Sequence, residues 1–404
     1  MKVAVLSDLH IGPNVRGKDL FDPPGKAAID DDFLDQFEEF VIREDAKADY
    51  LLVAGDLSES ARPDELRQAG TVIARVAKAL GVAEDRVSLT IGNHDKFWAP
   101  LDFDPGDTTG ITQQMAYMPI SRAPGLVAEA MAREAQLTSR CWSVTEQPDI
   151  VIIAYNSTWA DGPKVKPHYG AIDPAHADQM RGQLSYLRDD DRFKVLLVHH
   201  HAWQYADRIQ LPDFSVMDNA QALLELTADL RIDFLVHGHK HVPRFQVALT
   251  GDRHHLCVLG AGSFCKNLES VLQGEALNQF HLIEVTGRDS QSNRSTGNVK
   301  SWSFTTTAGW TRSRVDVTGI EHHNPFGCYA TPEEIRDRAR PEVERRLAGG
   351  SHATWREVIA QDPTLDGVPA KVVLSVLEML QAEGTLDRFL RQDDGDCVLL
   401  GKRA

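Results

Sequence analysis

"DFLVHGHKH", residues 233–241, is an apolar strand that stops in histidine. Phe234, Leu235 and Val236 read as buried strand; His237, His239 and His241 follow at every second position, with Gly238 between the first two. Alternate residues of an extended chain share a face, so spacing alone leaves all three imidazoles as candidates for one site. The same design recurs. Val3–Leu6 ends in "SDLH" (7–10), "YLLVAGD" (50–56) in Gly55-Asp56, and "RVSLTIGNHD" (86–95) in Gly92-Asn93-His94-Asp95. "DIVIIAYNST" (149–158), "KVLLVHHH" (194–201) and "HLCVLGAGSF" (255–264) also end in polar or glycine-rich residues. Amphipathic stretches at 31–44, 64–80, 174–189 and 219–230 lie between them. Buried strands alternating with helices predict a layered α/β fold, and polar groups at strand C-termini are where such folds place their sites.

At 404 residues the chain exceeds what one core usually organises. The expected division is a large domain over 1–316, a linker over 317–332 and a small domain over 333–404. The last strands of the large domain fall at 278–287 and 299–312, around a polar loop, "RDSQSNRSTGN". In the linker, "GIEHHNPFGCYATPEE" (319–334) has little periodicity. Thr331-Pro332-Glu333-Glu334 is a helix start, and two further helices, around "TWREVIAQ" and over 369–384, lead to two strands about an Asp-Gly turn. Three helices and a hairpin in that order resemble a winged helix. A DNA-reading version would carry basic residues on its third helix, where this chain has Lys371 against Glu378 and Glu383. A protein-contact or capping role is therefore the leading expectation.

Composition excludes several classes. No apolar run approaches the ~20 residues that cross a bilayer, and "MKVAVLSDLHIG" lacks the apolar core of a secretory signal. Five scattered cysteines suit reduced thiols, so a cytoplasmic location is expected. A net charge of −16 without a basic stripe disfavours gripping duplex DNA by its backbone. Bound divalent cations would still let an acidic protein receive a phosphorylated substrate.

In order, the strand ends present Asp8-x-His10, Gly55-Asp56, Gly92-Asn93-His94-Asp95, His199 and Gly238-His239-x-His241. Each block alone is weak. Together they resemble the calcineurin-like metallophosphoesterase superfamily over residues 1–310. "VAGDLSES", "GQLSYLRD" and "VLLVHHHAW" are similar to blocks of its cyclic-nucleotide phosphodiesterase-like branch. The resemblance implies a four-layered α-β-β-α sandwich holding two divalent cations that share a nucleophilic water. By the same resemblance Asp56 bridges the cations. Asp8, His10 and His241 hold the first, and Asn93, His199 and His239 the second. This mixed donor set suits Mn, Fe, Zn or Co, with Mn favoured, over Ca.

His94, next to a ligand, is expected to face the substrate, stabilise phosphoryl charge and protonate the leaving oxygen. Asp95 is read either as the group orienting that imidazole or as a turn residue. His237 and His200 are expected near the ligands rather than on a cation, and His201 stands where many members have proline, so its role is open. Trp203 and Tyr205 are candidates for a pocket wall or for packing. The function expected is hydrolysis of a small phosphorylated molecule such as a cyclic nucleotide. "SDLHIG" is also similar to the opening of the recombination nucleases, which carry an extra module after the phosphoesterase domain and work with a partner. A catalytically silent scaffold is the third reading, weakened by the complete motif set.

Overall fold

The computed structural model describes residues 1–22, 32–96, 140–161, 169–204, 216–251, 254–268, 277–289, 293–392 and 395–401. They group into two compact units, Met1–Leu282 with Trp302–Ile320, and Ile283–Ser301 with Glu321–Ala404.

The first unit begins with β1 (Lys2–Leu6), α1 (Phe33–Arg43), β2 (Tyr50–Ala54), α2 (Pro63–Leu80) and β3 (Val87–Thr90). β4 (Trp142–Glu146), β5 (Ile150–Tyr155), α3 (Pro174–Gln183), β6 (Phe193–Leu197), α4 (Ala220–Asp229) and β7 (Phe234–His237) follow. β8 (Pro243–Thr250), β9 (His254–Ala261) and β12 (Gly309–Arg312) come last, with the start of β10 (Asn278–Asp289) and the end of β11 (Arg294–Thr305), whose remaining residues fall in the second unit. One sheet runs β12-β11-β10-β1-β2-β3 and the other β4-β5-β6-β7-β9-β8. β1, β2 and β3 are parallel neighbours, as are β5, β6, β7 and β9.

Strands buried on both faces are mostly apolar, which is why "YLLVA" and "IVIIAY" show no alternation. The sheets face each other across β3 and β5, where Thr90 Oγ1 donates to the Tyr155 carbonyl at 2.8 Å. Helical spacing puts Phe33, Phe37 and Phe40 on one face of α1, and their rings meet Phe264, Phe280, Phe304 and Trp310 edge to face or tilted. Met180 of α3 and Leu223 and Leu226 of α4 pack with Val151, Ile153, Leu196 and Leu235 of the second sheet. Helices on sheet, sheet on sheet, helices on sheet is the layered α/β class expected.

β4 and β8 are absent from the sequence reading. Both are edge strands with exposed positions and lack the continuous apolar signal. β10 and β11 also extend into the stretch read as a loop, with Arg288, Asp289 and Arg294–Asn298 in strand.

In the second unit, Gly297–Lys300 pair antiparallel with β13 (His323–Phe326), a strand that the absence of periodicity hid. α5 (Pro332–Gly349), β14 (His352–Thr354), α6 (Trp355–Ile359), α7 (Ala370–Ala382), β15 (Arg388–Arg391) and β16 (Cys397–Leu400) follow. Thr331 with Glu334, and Thr354 with Glu357, form reciprocal caps at the starts of α5 and α6. β14, β16 and β15 form a small sheet. Ile335, Val343, Trp355, Val376, Leu377 and Leu399 are among its core. None of the five cysteines is in a disulfide, and no described helix is long and apolar enough to cross a membrane.

Candidate metal centre

The parallel strand order carries distant residues to one place. Asp8 and His10 follow β1, Asp56 follows β2, and Asn93, His94 and Asp95 follow β3, three adjacent strands of one sheet. His199–His201 follow β6 and His239 and His241 follow β7, adjacent strands of the other.

Asp8, His10, Asp56 and His241 each bring a donor atom within 4.8 Å of the others. His10 Nε2 is 3.0 Å from His241 Nε2, and His241 Nε2 is 3.3 Å from Asp8 Oδ1. A second cluster within the same distance joins His199, His239 and His200. Asn93 Oδ1 lies 3.2 Å from His199 Nε2. The clusters meet at one atom: Asp56 Oδ2 is 3.3 Å from His10 Nε2 and 3.3 Å from His199 Nε2.

The surroundings set the protonation these groups would need. His199 Nδ1 lies 2.8 Å from the Ala54 carbonyl, which only accepts, so Nδ1 carries the proton and Nε2 is turned toward Asp56 and Asn93. Burial alone would raise the Asp56 carboxyl, yet His199, His94 and His10 hold it well below the usual carboxylate range. Burial opposes charge on His199, but the Asp56 carboxylate brings that imidazole up to about 9. Burial lowers His10 to about 4 and, with His200 and His199 beside it, His239 well below its ordinary value. His10 and His239 are thus neutral beside anionic carboxylates, the state in which a divalent cation is bound, whereas His199 would release a proton on binding one. His239 Nδ1 is buried with no hydrogen-bond partner among the described residues, the kind of orphan a cation would satisfy. The donor set fits.

Five of these residues have left-handed backbone: Asp8 (φ 50°), His10 (47°), Asp56 (52°), His239 (75°) and His241 (57°). Each such residue bearing a Cβ costs roughly 1–2 kcal/mol. Strain concentrated at one spot is a hallmark of functional loops. Gly238 is outside this set. It is required by close approach, since a Cβ there would sit 1.9 Å from Ser7 Oγ and 2.6 Å from Asp8 Oδ2. Gly238→Ala is therefore expected to displace the Asp8 carboxylate and weaken cation binding by roughly tenfold or more. Calorimetric titration with Mn2+ checks this, and wild-type affinity would show that the carboxylate has room.

Residues 1–243 match the model of the calcineurin-like phosphoesterase family. The chain belongs to this family. The family is one of phosphoric ester hydrolases, and the described residues include groups of side chains that could hold metal ions. A search of curated protein sequences gave no significant match. Similar solved structures include a dimetal phosphatase from Danio rerio, at 10% identity and TM-score 0.44, covering 74% of this chain and 95% of that one. Purple acid phosphatase from yellow lupin (Lupinus luteus) seeds has 13% identity and TM-score 0.46, covering 78% and 52%. The 5'-nucleotidase precursor of Thermus thermophilus has 13% identity and TM-score 0.39, covering 79% and 55%. The chain thus spans about half the length of the last two.

Within this phosphoesterase the remaining candidates separate. His94 donates its backbone N–H to Asp56 Oδ1 at 2.9 Å, and its ring Nδ1 lies 2.7 Å from the Glu59 carbonyl. That contact orients the imidazole. The Asp95 carboxylate instead accepts from the Ser58 N–H at 2.9 Å, the Ser58 hydroxyl at 3.0 Å and the Gly92 N–H at 2.9 Å. Burial and the nearby Asp56 charge raise it to about 6. Of the two readings of Asp95, these contacts are those of the turn residue: it ties the loop after β3 to the loop after β2.

His200 stands within the second donor cluster, its Nδ1 2.8 Å from Ser157 Oγ. His237 is buried outside both clusters, its Nδ1 3.1 Å from the Gly238 carbonyl and its ring against Gly260. His201 is buried, with its ring 5.8 Å from that of His237 and 6.4 Å from that of His239. Trp203 packs against the core of the second sheet, and Tyr205 falls outside the described residues.

Sequence reasoning missed Glu59 and Lys266, which flank His10. Glu59 Oε2 lies 3.2 Å and Lys266 Nζ 3.5 Å from His10 Nδ1. It also missed Lys96, a buried lysine whose Nζ donates to the Thr158 and Asp161 carbonyls, locking the His94 segment to the loop after β5.

Proposed function

We propose that the chain hydrolyses a phosphodiester of a small molecule, of the cyclic-nucleotide or nucleotide kind, at a centre of two divalent cations, with Mn favoured over Fe, Zn or Co. One observation carries this reading: Asp56 Oδ2 is equidistant from the facing nitrogens of His10 and His199, each in a different donor cluster. A single anionic oxygen between two sets of donors is what a close pair of cations requires. Asp8, His10, Asp56 and His241 would hold one cation, and Asp56, Asn93, His199 and His239 the other, with His200 beside the second.

When bound, the cations would polarise the phosphoryl oxygens and make a water acidic enough to attack near neutral pH. The protein's own groups do the rest. In the hydrolysis a water oxygen bonds to phosphorus while the bond to the ester oxygen breaks, and the departing oxygen takes a proton. His94 is placed to deliver it when both ring nitrogens carry protons: the Glu59 carbonyl accepts from Nδ1–H, the Nε2 proton passes to the departing oxygen, and the ring is left neutral. Asp95, through Ser58 and Gly92, keeps the loop bearing His94 in register with Asp56.

For the accessory region we propose a winged-helix-like module over 333–404 that contacts a protein rather than DNA. The arginines of α5 are already matched to carboxylates: Arg336 to Glu383, Arg338 to Asp362, Arg340 to Glu383, and Arg345 and Arg346 to Glu342. Paired in this way they offer little charge to a phosphate backbone. The test compares Mn2+-dependent turnover of bis(p-nitrophenyl) phosphate, cyclic nucleotides and single- and double-stranded DNA. Turnover of small diesters above DNA is expected. Faster cleavage of DNA ends would favour the nuclease, and no turnover with any divalent ion would favour the scaffold.

A further inference from the structure

We propose that Glu59 is a positioning residue for two histidines at once, setting the proton and ring of His10 through its carboxylate and those of His94 through its main-chain carbonyl. The proposal rests on the dinuclear reading above. His10 Nε2 faces Asp56 and His241, inside the first donor cluster. An imidazole that gives Nε2 to a cation and stays neutral keeps its proton on Nδ1, and that proton needs an acceptor. Around His10 Nδ1 stand Glu59 Oε2 at 3.2 Å and the Lys266 ammonium at 3.5 Å. An ammonium only donates. The carboxylate is therefore the acceptor available.

Oε2 is buried and has no other hydrogen-bond partner among the described residues, and its contact to His10 lies off the linear geometry of a full hydrogen bond. A modest ring rotation on cation binding would complete that bond, as catalytic contacts often tighten only in the loaded state. The rest of Glu59 is held firmly. Its N–H donates to the Ile11 carbonyl at 3.1 Å, and a Cβ on Gly12 would come within 2.7 Å of its own Cβ, so its stem presses on the strand-end segment that carries His10. Asn14 Nδ2 reaches the other carboxylate oxygen at 3.4 Å. The same residue's carbonyl lies 2.7 Å from His94 Nδ1. The His10 and His94 rings meet edge to face at 4.6 Å, so one residue registers a metal-facing ring against a substrate-facing one.

Glu59→Ala and Glu59→Gln separate the two contributions, because both keep the main-chain carbonyl while only glutamine keeps a side-chain acceptor. Calorimetric titration with Mn2+ is expected to show Glu59→Ala weakened about ten- to hundredfold at one of two sites, with most of the loss restored in Glu59→Gln. Wild-type affinity at both sites in Glu59→Ala would overturn the proposal. A wild-type protein that takes up no metal would instead overturn the dinuclear reading, and this proposal with it. A histidine-selective 1H–15N spectrum of the Zn2+-loaded wild type needs no variant to fold. A slowly exchanging proton on His10 Nδ1 supports the role, and a proton on Nε2 refutes it.

Discussion

His94→Ala is expected to lower turnover of a phosphodiester by about 10²–10⁴-fold while both cations remain bound. The asymmetry follows from geometry. His94 is not among the Asp8, His10, Asp56 and His241 donors or the His199, His200 and His239 donors; it groups instead with His10 and Glu59, its Nδ1 is engaged by the Glu59 carbonyl, and its backbone N–H rather than its ring touches Asp56. Truncating the ring removes a proton donor and a charge-stabilising group and leaves the Asp56 contact intact. The loss belongs in kcat, since proton delivery matters as the ester bond breaks. Elemental analysis beside steady-state kinetics checks this. A variant stripped of metal, or one that turns over near the wild-type rate, would remove His94 from the role given to it.

Asp56→Asn acts on the opposite half of the machinery. The amide keeps the shape of the side chain but gives up the anion that lies 3.3 Å from two imidazoles and raises His199. Breaking a buried charge network by removing one partner is strongly destabilising to that network. Metal content is therefore expected to fall at both clusters together, and turnover with it. Retention of one fully occupied site would show that the carboxylate serves a single cation; retention of both would remove it from the bridge. The fold should survive, because asparagine also tolerates the left-handed backbone at this position.

Much of this was legible in the sequence. A strand buried on both faces is mostly apolar, so β1, β2, β3, β5, β6 and β7 announced themselves despite Ser88 and Thr90 in β3 and Lys194 in β6, and the polar cluster after each marked the edge where chemistry gathers. The expected donors Asp8, His10, Asp56, Asn93, His199, His239 and His241 converge for that reason. Periodicity could not choose among His237, His239 and His241, because the chain leaves the strand at Gly238 and extended spacing no longer applies beyond it. Edge strands such as β8 alternate weakly and pass for loop. The partners of Asp95 and the reach of Glu59 depend on how two loops from neighbouring strands meet, which no local pattern encodes.

The left-handed residues at the centre carry a consequence for anyone reshaping this chain. Glycine relieves such a conformation at no steric cost, so at Asp8, His10, Asp56, His239 and His241 it would ease the backbone while deleting a donor. Backbone relief at those five places comes only with loss of the donors and of the buried contacts they make. Engineering for robustness should therefore hold them fixed and look elsewhere.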